Sequence, residues 1–156
     1  MRLSIGMKGV QGMRKPDKDI VERMRRAFPT GSRVRLLVMD DPQAPPVGML
    51  GTVKGVDDIA SVMVKWDNGG GLHVVYGKDA CCIADDGKEP DNADPVQTYC
   101  YGETQEWKSR NRAEQFFIRA MLASEGNEQR RCLIIYTKLV LGFQFCDDEE
   151  GRIDEY

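Results

Sequence analysis

A single histidine, His73, occurs in 156 residues, and no two cysteines form a Cys-x-x-Cys pair. Tetrahedral zinc draws most of its ligands from these two residue types at short spacings, so the sequence predicts no metal and no cofactor. The five cysteines, Cys81, Cys82, Cys100, Cys132 and Cys146, are odd in number and include an adjacent pair. That is not a disulfide framework, and reduced thiols packed as small apolar groups are expected. No apolar run approaches the roughly 18 residues that cross a bilayer, and residues 1–5 lack the hydrophobic segment of a secretory signal. The expectation is no membrane partner and a cytoplasmic location. The EF-hand loop pattern is missing too, so the pairs Asp40-Asp41, Asp57-Asp58, Asp85-Asp86 and Asp147-Asp148 read as solvated turns.

What is present is ordinary globular composition, 30% charged and 41% apolar, in a length that fits one domain or two small ones sharing a core. Charge is polarised along the chain. Residues 1–40 carry ten Lys/Arg against four Asp/Glu, residues 41–90 four against eight, and residues 91–156 eight against thirteen. A basic head on an acidic body orients a protein in a partner's field, while the overall acidity argues against a dedicated DNA binder.

Residues 1–16 read as a flexible basic arm. Asp17 is placed to cap a helix, and Ile20, Val21, Met24, Ala27 and Phe28 form one apolar stripe before Pro29 stops it. Five short apolar runs follow, at about 33–39, 49–56, 61–66, 72–76 and 80–84, each closed by turn residues. The first loop, residues 40–46, is stiffened by three prolines, and Asn68-Gly69 marks a tight hairpin because both residues tolerate positive φ. Gly51 and Gly55 permit the bends of a small barrel. The expected architecture is α+β: over 17–84, a short helix and a closed five-stranded β-barrel. Residues 85–98 read as an acidic linker broken by prolines. Residues 99–156 read as a helical hairpin module with an acidic tail. Ser109 caps its first helix, whose stripe is Ala113, Phe116, Phe117, Ala120 and Met121. The next carries Cys132, Ile135, Tyr136, Leu139 and Val140 and ends at Gly142. Leu133, Ile134 and Leu141 widen that stripe, so this helix needs cover on two sides: the preceding helix, and the barrel, a second subunit or a partner. A homodimer through these helices is one such arrangement.

Val21-Glu22-Arg23-Met24-Arg25, Gly31-Ser32-Arg33-Val34-Arg35-Leu36, the acidic-proline loop Met39-Asp40-Asp41-Pro42-Gln43-Ala44-Pro45-Pro46, Gly51-Thr52-Val53 and Val64-Lys65-Trp66-Asp67-Asn68-Gly69 together resemble an uncharacterised domain family of conjugative elements, plasmids and phages of Gram-positive gut bacteria. Trp107-Lys108-Ser109-Arg110, Phe116-Phe117, Ser124-Glu125-Gly126 and Cys146-Asp147-Asp148-Glu149 are similar to a module attached to various mobile-element proteins. The resemblance implies an SH3-like barrel and a mobile-element setting. It brings no known activity and no catalytic residues.

Nucleophilic catalysis needs a base within hydrogen-bond reach of its nucleophile, which here means His73 meeting Cys81 or Cys82 across neighbouring strands. A half-exposed strand histidine is the expected reading. Gly69-Gly70-Gly71 joins two strands instead of opening a helix, so it is no phosphate cradle. Two candidate surfaces remain. If Trp66 points outward, Asp40, Asp41, Pro45, Trp66, Asp67 and Tyr76 make an acidic-aromatic groove for peptides or basic segments; the competing reading buries Trp66 as core. Lys18, Arg23, Arg25, Arg26, Arg33 and Arg35 make a basic face that could follow the phosphates of DNA or RNA. The expected function is that of a non-enzymatic binding protein of a mobile element. Most concretely, it inhibits host nucleic-acid defence by binding a CRISPR or restriction nuclease complex. The alternative is a nucleic-acid-binding accessory to element transfer or transcription.

Overall fold

The computed structural model describes residues 16–84 and 94–149. The basic arm over 1–15, most of the expected linker and the end of the acidic tail lie outside the described residues. The first helix, α1 (Lys18–Ala27), starts where the side chain of Asp17 accepts from the N–H of Ile20 at 3.1 Å. It buries Ile20, Val21 and Met24. Pro29 supplies no N–H to continue it.

Four strands form the first sheet: β1 (Arg33–Val38), β2 (Leu50–Val56), β3 (Val62–Trp66) and β4 (Ala80–Ile83), in the antiparallel order β3-β2-β1-β4. The closed five-stranded barrel is not what forms. Residues 72–76, expected as a strand, contribute a single bridge in which Val62 and Val74 exchange two backbone bonds of 3.0 and 2.9 Å. The physical reason lies at the two ends of this segment. Asn68-Gly69 makes the expected tight turn, with Gly69 at φ 98° and Trp66 N–H bonded to Gly70 carbonyl, but Gly70 and Gly71 offer no side chains to pack along β3. At the other end Asp79 accepts from Val75 N–H at 2.8 Å and donates its own N–H to Val75 carbonyl. That turn carries the chain to the far side of β1, where it becomes β4.

A second sheet was not foreseen. It joins β5 (Val96–Cys100), β6 (Glu103–Trp107) and β7 (Phe145–Asp147) in the order β6-β5-β7, with β5 and β7 parallel. Residues 96–98, read as linker, are strand, and the start of the acidic tail is the partner strand β7. Between β6 and β7 run α2 (Arg110–Leu122) and α3 (Gly126–Leu141). Ser109 caps α2, and Gly142, left-handed at φ 95°, ends α3 as expected.

Two cores result. One holds α1, the inner face of the first sheet and Leu141; the other holds α2, α3, the second sheet and, from the first sheet, Leu37 and Ala80. Both flanks of α3 are therefore covered within one chain, and Cys132 through Leu139 are all buried. The apolar surplus that suggested a homodimer through these helices needs no second subunit. Polar clips join the two halves: Tyr136 Oη donates to Cys81 carbonyl at 2.8 Å and Arg23 to Leu141 carbonyl at 2.7 Å, while within the second half Arg110 donates to the carbonyls of Leu139 and Phe143 at 2.9 Å.

Candidate functional site

The acidic-aromatic groove is not assembled. Trp66 is 1% exposed, packed in the first core with its indole N–H donated to Leu72 carbonyl at 2.9 Å. Its place on β3 opposite Gly51 turns the ring inward, and Pro45 is buried as well. Asp67 is exposed but held by Arg33, whose guanidinium grips both carboxylate oxygens at 3.0 and 2.7 Å, the contact that lowers the Asp67 pKa. Arg33 opens β1, whereas Asp40 and Asp41 follow its other end. Tyr76 is half-buried against the first core. Asp40 borders an open groove of about 490 Å³. Leu37, Met39, Val47, Lys78, Arg130 and Leu133 also line it. In the acidic-proline loop itself, Asp41 caps a local turn by accepting from Gln43 N–H at 2.8 Å.

The basic face is divided in the same way. Arg33 and Arg35 alternate along β1 with Val34 and Leu36, which pack in the core shared with α1. Their side chains therefore leave the sheet on the side away from α1. Three of the six arginines and lysines are committed inside the chain. Arg23 pairs with Asp19 at 2.9 Å and lies over the Phe143 ring, Arg25 donates to Val56 carbonyl at 3.0 Å, and Arg33 holds Asp67. Lys18, Arg26 and Arg35 are exposed and make no ion pair among the described residues.

Several of the reactive groups make structural contacts among the described residues. His73 is 46% exposed at its side chain, with Nδ1 3.8 Å from Asp57. Asp57 itself accepts from the N–H groups of Ile59 and Ser61, closing the turn that leads into β3. Burial pushes every thiol up: Cys100 to about 11 and Cys146 to about 12, with Cys81, Cys82 and Cys132 raised as well. A thiol held protonated at neutral pH is a weak nucleophile. Asp147 and Asp148, read as a solvated pair, are anchors. Asp147 accepts from the buried ammonium of Lys138, and Asp148 pairs with Arg131 at 3.0 Å.

Sequence reasoning missed three features. Glu114 on α2 sits in a desolvated position that raises its pKa to about 7 despite nearby Arg110. Tyr101 takes a left-handed conformation, φ 54°, in the β5–β6 turn, where it lies against Arg131 and donates to Glu128 at 2.6 Å. Phe116, assigned to the buried stripe of α2, is 43% exposed and stacks on Trp107. Only Phe116 gave a signal: the adjacent Phe117 competes for the same face.

The described chain is thus an α+β protein with two sheets and three helices. Residues 17–84 match the model of a domain of unknown function (DUF4314), a stretch that holds α1 and the first sheet and stops before the second. No curated protein and no solved structure matches the chain.

Proposed function

We propose that this protein acts by binding a macromolecular partner and not by catalysis. The observation that supports the reading is the disposition of its reactive side chains. All five thiols are raised by burial, and the aspartate pairs with described anchoring contacts grip backbone N–H groups or cations of the same chain. What remains for recognition is surface. Lys18, Arg26 and Arg35 are exposed and make no ion pair among the described residues, against a body whose residues 91–156 carry an excess of acid.

In its most concrete form, the proposal makes the protein a mobile-element inhibitor of host nucleic-acid defence that engages a CRISPR or restriction nuclease complex in the cytoplasm. The SH3-like description of residues 17–84 belongs to the same proposal. It draws support from the irregular register in β2 beside Gly55 and from the Val62–Val74 bridge, which continues the sheet beyond β3. Co-elution of the purified protein with such nucleases, and slowed cleavage by them, is the expected result. If it neither co-elutes with them nor changes their cleavage, the inhibitor reading is withdrawn. The alternative, an accessory that binds nucleic acid directly, predicts retention of naked DNA or RNA in a mobility shift that collapses as salt rises.

A further inference from the structure

The outer edge of β6 is open among the described residues. β6 is the end strand of its sheet, all of Glu103 through Glu106 are exposed, and its register with β5 runs without a break. The other edges are blunted. β3 carries the Val74 bridge, β4 has four residues and an irregular register, and β7 has three residues. Long, regular edges usually carry a lysine, a proline or a bulge that prevents strand addition, and β6 has none of these within its span. The hairpin turn is the two residues Tyr101-Gly102, both at positive φ, which makes Cys100 and Glu103 the closing hydrogen-bonded pair. Bonding alternates from there, so the N–H and C=O groups of Thr104 and Glu106 point away from β5, on a side where no described residue bonds them.

The surroundings of this edge select an occupant. Val96 and Thr98 of β5 are buried, so their partners Trp107 and Gln105 lie on the helix side, where the indole N–H of Trp107 reaches Thr98 Oγ1 at 3.0 Å. The exposed ring of Phe116, 5.4 Å from that of Trp107, extends this side as an apolar shelf. Glu106 faces the opposite side beside Gln97, whereas Glu103, two residues before Gln105, stands on the helix side at the turn end. A second copy paired edge to edge would put the Glu106 side chains of both copies on the same side of the paired strands, which disfavours it. A basic extended segment satisfies both sides: apolar residues over Phe116 and a cation beside Glu106.

We propose that β6 accepts an extended, basic peptide segment of a partner protein by strand addition, with Thr104 and Glu106 supplying the backbone contacts and Phe116 and Trp107 the apolar shelf. The proposal stands whether or not that partner is a nuclease. Titration of the ¹⁵N-labelled full chain with a short peptide alternating valine and lysine tests it. A peptide alternating valine and glutamate serves as control. Amide shifts are expected on β6 and around Phe116, with affinity falling more than about tenfold for the acidic peptide and for Thr104→Pro. The Thr104 N–H faces away from β5, so proline there removes a contact to the added strand and leaves the hairpin ladder intact. Glu106→Lys keeps every backbone group and is expected to weaken the basic peptide alone. Three results overturn the proposal: no binding to the native chain, binding unchanged in folded Thr104→Pro, or slow exchange of the Thr104 and Glu106 amides before peptide is added. The last would mean that this chain or a second copy already covers the edge.

Discussion

Individual residues here are constrained by contact and charge in ways that stability measurements can read. A Cβ on Gly51 would lie 2.6 Å from Val64 Cγ1, 2.8 Å from Trp66 Cε3 and 2.9 Å from Lys65 carbonyl oxygen. Gly51→Ala is therefore expected to lower unfolding free energy by about 1–3 kcal/mol in urea titrations, the usual range for forced overpacking. Glu114 gives a pH signature. Its folded pKa of about 7 lies above the ordinary 4.5, so the folded state holds more protons than the unfolded state between those values. Stability then falls as pH rises through that window, and the full penalty stands above pH 7. Glu114→Gln, which cannot ionise, is expected to stabilise by about 1–2 kcal/mol at pH 8 and to change little near pH 4, as read by denaturation at both values.

At the scale of elements, α3 organises the molecule, and its C-terminal end is where the halves are joined. Arg110, from the first turn of α2, reaches the carbonyls of Leu139 and Phe143 while its Nε bonds Asp94 at 2.6 Å. Arg110→Ala strands those acceptors and is expected to cost about 2–3 kcal/mol, with the loss visible as faster amide exchange at the end of α3. Gly142→Ala forces a side chain into φ 95° and toward Arg23 Nη1, which would stand 3.2 Å from the new methyl. An expected cost of about 1 kcal/mol, measured by thermal unfolding, follows from the left-handed backbone. Much of this level was legible in advance. The caps Asp17 and Ser109 and the stop at Gly142 were marked by residue type, because the chemistry that ends a helix is local.

At the scale of the whole molecule, the described halves share packing, and part of the matched 17–84 segment is covered from outside it. Leu37 and Ala80 of the first sheet are 2% and 4% exposed because α2, α3 and their neighbours cover them. Each half holds one tryptophan, Trp66 in the first core and Trp107 against the second. Single Trp→Phe variants should therefore report the same denaturation midpoint from either remaining indole once their own stability changes are subtracted. Two separated transitions would contradict the shared packing. The same packing explains why neither predicted surface assembled. Alternation along β1 sends Arg33 and Arg35 away from α1, and the inward pleat of β3 buries Trp66, so residues close in sequence part company in space.

By itself the amino-acid order determined what depends on near neighbours: three helices, their caps, four of the strands and the tight Asn68-Gly69 corner. Periodicity and turn chemistry act over a few residues and can be read from them. Only the tertiary structure decided that residues 72–76 yield one bridge, that 96–98 and 145–147 meet as parallel strands, and that α3 finds both its covers within one chain. Those outcomes rest on pairings between segments tens of residues apart. Such pairings are chosen by which buried faces and backbone groups can be satisfied together, and no local pattern records that choice.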